Sequence, residues 1–128
     1  MQTFGEMMRQ RREALGLSQN RLAKLSETQQ AVVNYVEAGS ISPPPGSVEK
    51  WANFFNLSGG DLDDWWYAAT IARLRSDPRT EPFVQRLEAR FRSLEGMVSR
   101  LLDLYIKSGR QVPDDILKSA ESFGHRAS

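Results

Sequence analysis

The chain has 128 residues, 40% hydrophobic and 26% charged, which is room for one compact domain and an appendage rather than two enzyme domains. It holds no cysteine and a single histidine, His125, so the material for a zinc cluster, a thiol nucleophile or a Ser-His-Asp triad is missing; no paired carboxylates or lysines stand out in its place, and the expectation is a non-enzyme without metal or cofactor. The formal net charge is +1, yet Arg9, Arg11, Arg12, Arg21 and Lys24 gather near the N-terminus, where a modest positive face can form. No apolar run approaches the roughly 20 residues of a membrane span, so a soluble, cytoplasmic protein is expected.

Apolar residues recur at three and four rather than at two, which predicts an all-α chain. A first helix is expected over Thr3 to Leu15, with Phe4, Met8 and Leu15 on one face and Gly16 as its stop. Ser18 caps a second helix, Gln19 to Leu25, with Leu22 and Ala23 inward, and Ser26-Glu27-Thr28 leads to a third, Gln29 to Ala38, ended by Gly39. The prolines at 43, 44 and 45 predict an extended loop over 40–46. A fourth helix starts near Ser47 with Val48, Trp51, Ala52 and Phe55 inward, and a fifth runs from Asp61 and Leu62 to about Arg75. Trp51 and Phe55 read as core. Adjacent Trp65 and Trp66 cannot both face one core, so one of them is expected at a domain or subunit contact. Asp61, Asp63 and Asp64 read as dipole partners of a helix N-terminus rather than as metal ligands.

Residues 76–82, polar and twice interrupted by proline, read as a linker after a 1–75 domain. Beyond it Val84, Leu87, Phe91, Leu94, Val98, Leu101 and Tyr105 are spaced 3, 4, 3, 4, 3 and 4 in one long helix ended by Gly109. Arg90 and Glu95 fall at g and following e positions, where they attract in a parallel two-stranded coil. Met97, Leu102 and Leu104 widen the apolar face and leave antiparallel or higher assemblies open. Pro113 opens a short final helix carrying Ile116, Ala120 and Phe123, so 83–123 reads as an oligomerisation segment and 124–128 as a disordered tail.

Two short helices joined by a tight break, packed under a first helix, are the plan of a helix-turn-helix. From Leu17 the run LSQNRLAKLSETQQAVVNYVEAG resembles the Cro/CI-type, or Xre, helix-turn-helix family through Leu17, Ser18, Gln19, Leu22, Ala23, Val33, Val36, Glu37 and Gly39. Met8, Arg12, Gly16, Pro43, Ala52 and Leu62 to Trp66 fit the same pattern, which covers roughly residues 3 to 70. The resemblance implies a five-helix lambda-repressor-like domain, and it implies that Arg12 and Glu37 form a partly buried pair tying helix one to helix three. It also implies that the helix Gln29–Ala38 enters the major groove of double-stranded DNA.

With Val33 and Val36 inward, Gln29, Gln30, Ala31 and Asn34 face the bases with Val32 at the flank. Gln30 and Asn34 suit adenine and Ala31 and Val32 suit thymine methyls; no cation on the helix grips guanine, so sites leaning toward A·T are expected. Gln19, Asn20, Tyr35, Ser40 and Ser42 are the expected phosphate contacts. Three positions depart from the family. Glu27 and Thr28 occupy a turn that commonly holds a glycine and an apolar residue, the loop 40–42 offers no base, and Gly59 to Asp61 are inserted; modest, salt-dependent affinity is expected. The implied function is a homodimeric repressor in the nucleoid that reads an inverted repeat, with a regulatory protein partner as a further expectation. The alternative is a nucleoid-associated bridging protein or a protein-binding adaptor on the same fold.

Overall fold

The computed structural model describes residues 2–109, 113–115 and 118. The predicted final helix with Ile116, Ala120 and Phe123, the tail 124–128 and His125 lie outside the described residues. Two compact units divide the chain between Thr80 and Glu81. All regular structure among the described residues is helical, and no helix there is long and apolar enough to cross a membrane.

The first unit contains α1 (Phe4–Ala14), α2 (Gln19–Ser26), α3 (Gln30–Glu37), α4 (Pro45–Phe54) and α5 (Gly59–Arg75). Thr3 caps α1 through a reciprocal box: its hydroxyl accepts from the Glu6 amide at 3.2 Å while the Glu6 carboxylate accepts from the Thr3 amide at 3.3 Å. Ser18 caps α2 by accepting from the Arg21 amide at 3.1 Å. Gly16 and Gly39, at φ +68° and +75°, end α1 and α3 as expected.

Phe4, Met8, Leu22, Val33, Val36, Val48, Trp51 and Trp65 form the buried centre, on which all five helices close. The Phe4 ring lies 4.5 Å from that of Trp65 and 6.2 Å from that of Trp51, so the first residue of α1 is wedged between α4 and α5. Both indoles are satisfied: Trp65 Nε1 donates to the Val48 carbonyl at 3.1 Å, and Trp51 Nε1 to Thr28 Oγ1 at 3.2 Å.

Four local expectations change. Leu15 is not on the apolar face of α1; it follows the last helical residue as the cap, where the chain turns away, and is 58% exposed. Helix α4 begins at Pro45, two residues early, because a proline costs no hydrogen bond in a first turn. Phe55 caps α4 and is half-buried beside Trp65, at 5.8 Å, rather than in the centre. The inserted residues 59–61 extend α5 by its first turn, while Trp65 takes the core and Trp66 stays exposed.

The stretch after α5, read from the sequence as a linker, contains a short helical turn. Pro78–Thr80 form a 3-10 turn in which the Asp77 carboxylate accepts from the Arg79 amide at 3.0 Å and from its guanidinium. The second unit is carried by α6 (Glu81–Lys107), with Pro82 accommodated in its first turn. Burial divides the predicted seven-residue register of α6. Val84 is fully buried and Leu87, Phe91 and Val98 are half-buried, whereas Leu94 (57%), Leu101 (64%) and Tyr105 are exposed; Leu102, outside the register, is buried. A straight helix drifts about 20° per heptad against a strict repeat, which carries the register off the buried side within three heptads. Glu95 is half-buried, off the exposed rim that an interhelical pair with Arg90 needs.

Gly5 marks a close helix crossing: a Cβ there would stand 2.6 Å from the Val36 carbonyl oxygen and 2.8 Å from that of Glu37. Gly5→Ala is therefore expected to destabilise the chain by about 2 kcal/mol or more, the scale of overpacking against backbone. Gly46→Ala, where an added Cβ meets nothing, should be neutral or slightly stabilising. Urea denaturation of the two variants checks the contrast.

Candidate nucleic-acid interface

The site is built from the junction of α1, α2 and α3 outward. The Glu37 carboxylate, at the last residue of α3, is fully enclosed, and Arg12 of α1 meets it through two parallel bonds, Nε to Oε2 and Nη2 to Oε1, each 2.8 Å. The third guanidinium nitrogen of Arg12 donates to the Leu17 carbonyl at 2.8 Å, and Gln19 Nε2 donates to Glu37 Oε1 at 3.2 Å. Arg9 Nε stands 3.6 Å from the same oxygen. Burial pushes the Glu37 carboxyl up. Hydrogen bonds from Arg12 and Gln19 and the charges of Arg12 and Arg9 outweigh it, leaving the group below the ordinary glutamate range. The bond to Glu37 raises Arg12 against the smaller cost of its own burial.

The predicted pair thus exists, and it changes the assignment of Gln19. Its side chain is spent on Glu37 rather than held out for a phosphate, leaving the capped amide end of α2 as what that position presents. Asn20 is exposed beside it.

On α3, Val33 and Val36 are buried with Glu37, and Gln30, Ala31, Asn34 and Tyr35 are exposed on the other side, with Gln29 exposed just before the helix. Val32 is the exception: it is half-buried and packs on the core, so it leaves the exposed row. Ser40 is exposed, with its amide donating to the Tyr35 carbonyl at 2.9 Å, and Ser42 is half-buried. The exposed row carries no formal charge; the only charged residue of α3 is the enclosed Glu37.

The turn between α2 and α3 explains its unusual residues. Glu27 takes the left-handed conformation itself, at φ 59°, where the family commonly places a glycine. Its carbonyl accepts from Lys50 Nζ at 3.0 Å. Thr28 is held from two sides, by Trp51 and by Ser26, whose hydroxyl lies 3.0 Å away. The inserted Asp61 comes within 3.8 Å of Arg11.

Sequence reasoning placed Arg9 only in a positive N-terminal face and missed its approach to Glu37, and it missed Gly5 and Lys50. Arg9 was legible, lying three residues before Arg12 on one helix face; a glycine inside an otherwise good helix was the signal for Gly5. Nothing local marked Lys50, which acts across 23 residues of chain.

Replacing Glu37 by alanine strands a poorly solvated guanidinium, and a loss of about 3 kcal/mol in unfolding free energy is expected. Because the folded glutamate sits below its unfolded value, its stabilisation is present above about pH 4.3. It is lost as pH falls through the lower folded value. Denaturation midpoints followed from neutral pH into acid should show that extra loss in the parent and lack it in Glu37→Gln.

Comparison with protein families places residues 8–62 in a single family model, described as helix-turn-helix. No curated protein and no solved structure gives a significant match to the chain. The matched segment runs from Met8 on α1 to Leu62 on α5 and contains the Arg12–Glu37 pair, both helices of the motif and the turn between them. Residues 8–62 form a helix-turn-helix domain of the Cro/CI, or Xre, type, a family of DNA-binding domains.

Proposed function

We propose that the chain is a sequence-specific transcription regulator, acting as a repressor, that reads double-stranded DNA with α3. The carrying observation is the exposed row Gln30, Ala31, Asn34 and Tyr35 opposite buried Val33 and Val36, on a helix whose rotation Glu37 locks to α1. Amide side chains and a methyl at adjacent exposed positions are matched to adenine and thymine edges, and a row without cations has nothing to offer guanine. Phosphate contacts in this reading come from Asn20, Tyr35, Ser40 and the amide end of α2, with Ser42 contributing less because it is half-buried.

Pairing of two copies on an inverted repeat belongs to the same proposal, since one small domain binds weakly and a second linked domain meets the DNA at raised effective concentration. Of the predicted register, the exposed positions Leu94, Leu101 and Tyr105 are those open to such pairing, and Val84 is buried. In this reading the protein works in the cytoplasm at the nucleoid and has no catalytic role.

Selection of the full chain against random DNA, at low and near-physiological salt, is expected to enrich an A·T-leaning inverted repeat. Gln30→Ala and Asn34→Ala should each remove about 1–3 kcal/mol of discrimination at one base position and leave the salt slope unchanged. Salt-sensitive binding with no enriched motif would replace this reading by a bridging nucleoid protein, and absence of binding by an adaptor.

A further inference from the structure

The second unit presents a surface that the DNA reading does not use. On α6 the exposed side chains Leu94 (57%), Met97 (48%), Leu101 (64%) and Leu104 (64%) follow one another at 3, 4 and 3 residues. At about 100° per residue they form one stripe, centred roughly 120° round the helix from the buried Val84, that runs for about 15 Å. Arg86 and Arg90 continue the stripe toward the N-terminus, and Arg100 and Lys107 border it. All four cations are exposed.

No carboxylate falls on this face. Glu81, Glu88 and Glu95 lie on the side of Val84 and Leu102 and are half-buried there, and Asp103 lies outside the stripe. The stripe itself therefore carries apolar and cationic side chains, with exposed Asp103 one turn from the bordering Arg100 and Lys107, and exposed Arg92 on the side of the glutamates.

We infer that this outer face of α6 is a docking surface for an acidic amphipathic helix of a partner protein. A stripe one side chain wide at heptad spacing fits the groove of a single helix. A second copy of this chain is a poor occupant: it brings no carboxylate to the seam, and an antiparallel approach centred on Met97 and Leu101 sets Arg100 against its own copy. Four apolar side chains over that length are few for holding two like-charged helices. Supplemented by opposite charge they suffice for a transient, salt-sensitive contact. The surface belongs to a different unit from α3, so it stands independently of DNA recognition.

The test uses the full chain and two synthetic helical peptides with the same leucine heptads, one flanked by glutamate and the other by lysine. Fluorescence anisotropy should show the glutamate peptide binding at least about tenfold tighter than the lysine peptide at low salt, the preference shrinking as salt rises. Combined Arg86→Glu, Arg90→Glu and Arg100→Glu should invert that preference, and Leu94→Asp with Leu101→Asp should abolish binding of both. Because all five positions are exposed, the variants should keep the parent's circular dichroism and operator binding.

The proposal is overturned if the glutamate peptide fails to bind or if charge reversal leaves the preference unchanged. It is also overturned if the parent is a dimer that Leu94→Asp and Leu101→Asp dissolve in sedimentation, which assigns the face to a second copy. Binding to anionic phosphatidylglycerol vesicles but not to the glutamate peptide assigns it instead to a membrane surface.

Discussion

A carboxylate enclosed at the end of α3 is a costly object, and the geometry of the first unit follows from how that cost is met. Glu37 is surrounded by donors from two other helices: Arg12 in a bidentate fork from α1, and Gln19 from the first turn of α2. Each bond has a direction as well as an energy, so together they fix the rotation of α3 about its own axis. Val33 and Val36 lie on the Glu37 side, and once that side is committed inward the outward row is no longer free to vary. Gly5 is the steric half of the same junction. The α1 backbone passes so close to the Val36 and Glu37 carbonyls that no side chain fits between them, and the same helix brings the Arg12 guanidinium to the carboxylate.

The angle between α2 and α3 is set by a turn that works without glycine. Holding Glu27 in the left-handed region costs about 1–2 kcal/mol. Two neighbouring bonds oppose that cost, the Thr28 amide closing on the Ala23 carbonyl at 2.8 Å and Lys50 reaching the Glu27 carbonyl. Thr28 then replaces an apolar residue by serving as acceptor for the Trp51 indole, which ties the turn to the centre of the core. An exposed carboxylate at the turn and a polar side chain beneath it are thus compatible with a well-defined motif.

Much of this was legible in the residues themselves. Ser18, Gly16 and Gly39 mark helix ends by local chemistry that tertiary packing has no reason to override, and the Arg12–Glu37 pair came from a fixed motif spacing. What was not legible depends on distance through space. Gln19 looks like a free amide until Glu37 is brought beneath it, and Val32 looks like a flank residue until the core reaches it. The burial of the α6 register was not legible for a different reason. Its apolar residues belong to two stripes, one buried and one exposed, and a seven-residue template threads through both, because spacing alone cannot say which partner each leucine faces.

The exposed faces of α3 and α6 differ in charge. A recognition helix whose exposed row is neutral gains discrimination from hydrogen bonds but releases few counterions, so its contribution to affinity is small beside that of phosphate contacts made elsewhere. Such a domain selects well and holds weakly. Occupancy then rests on what raises the local concentration of the domain at its site, and the docking proposed for the second unit would supply that without touching DNA. The cations on the outer face of α6 are poorly suited to the phosphate backbone because a row of exposed leucines runs among them, and burying that row against a nucleic acid gains little. Set against a carboxylate-bearing apolar helix, the same mixture is complementary in both respects. On the proposed reading, the neutral polar groups on α3 serve for reading and the apolar and cationic groups on α6 for holding.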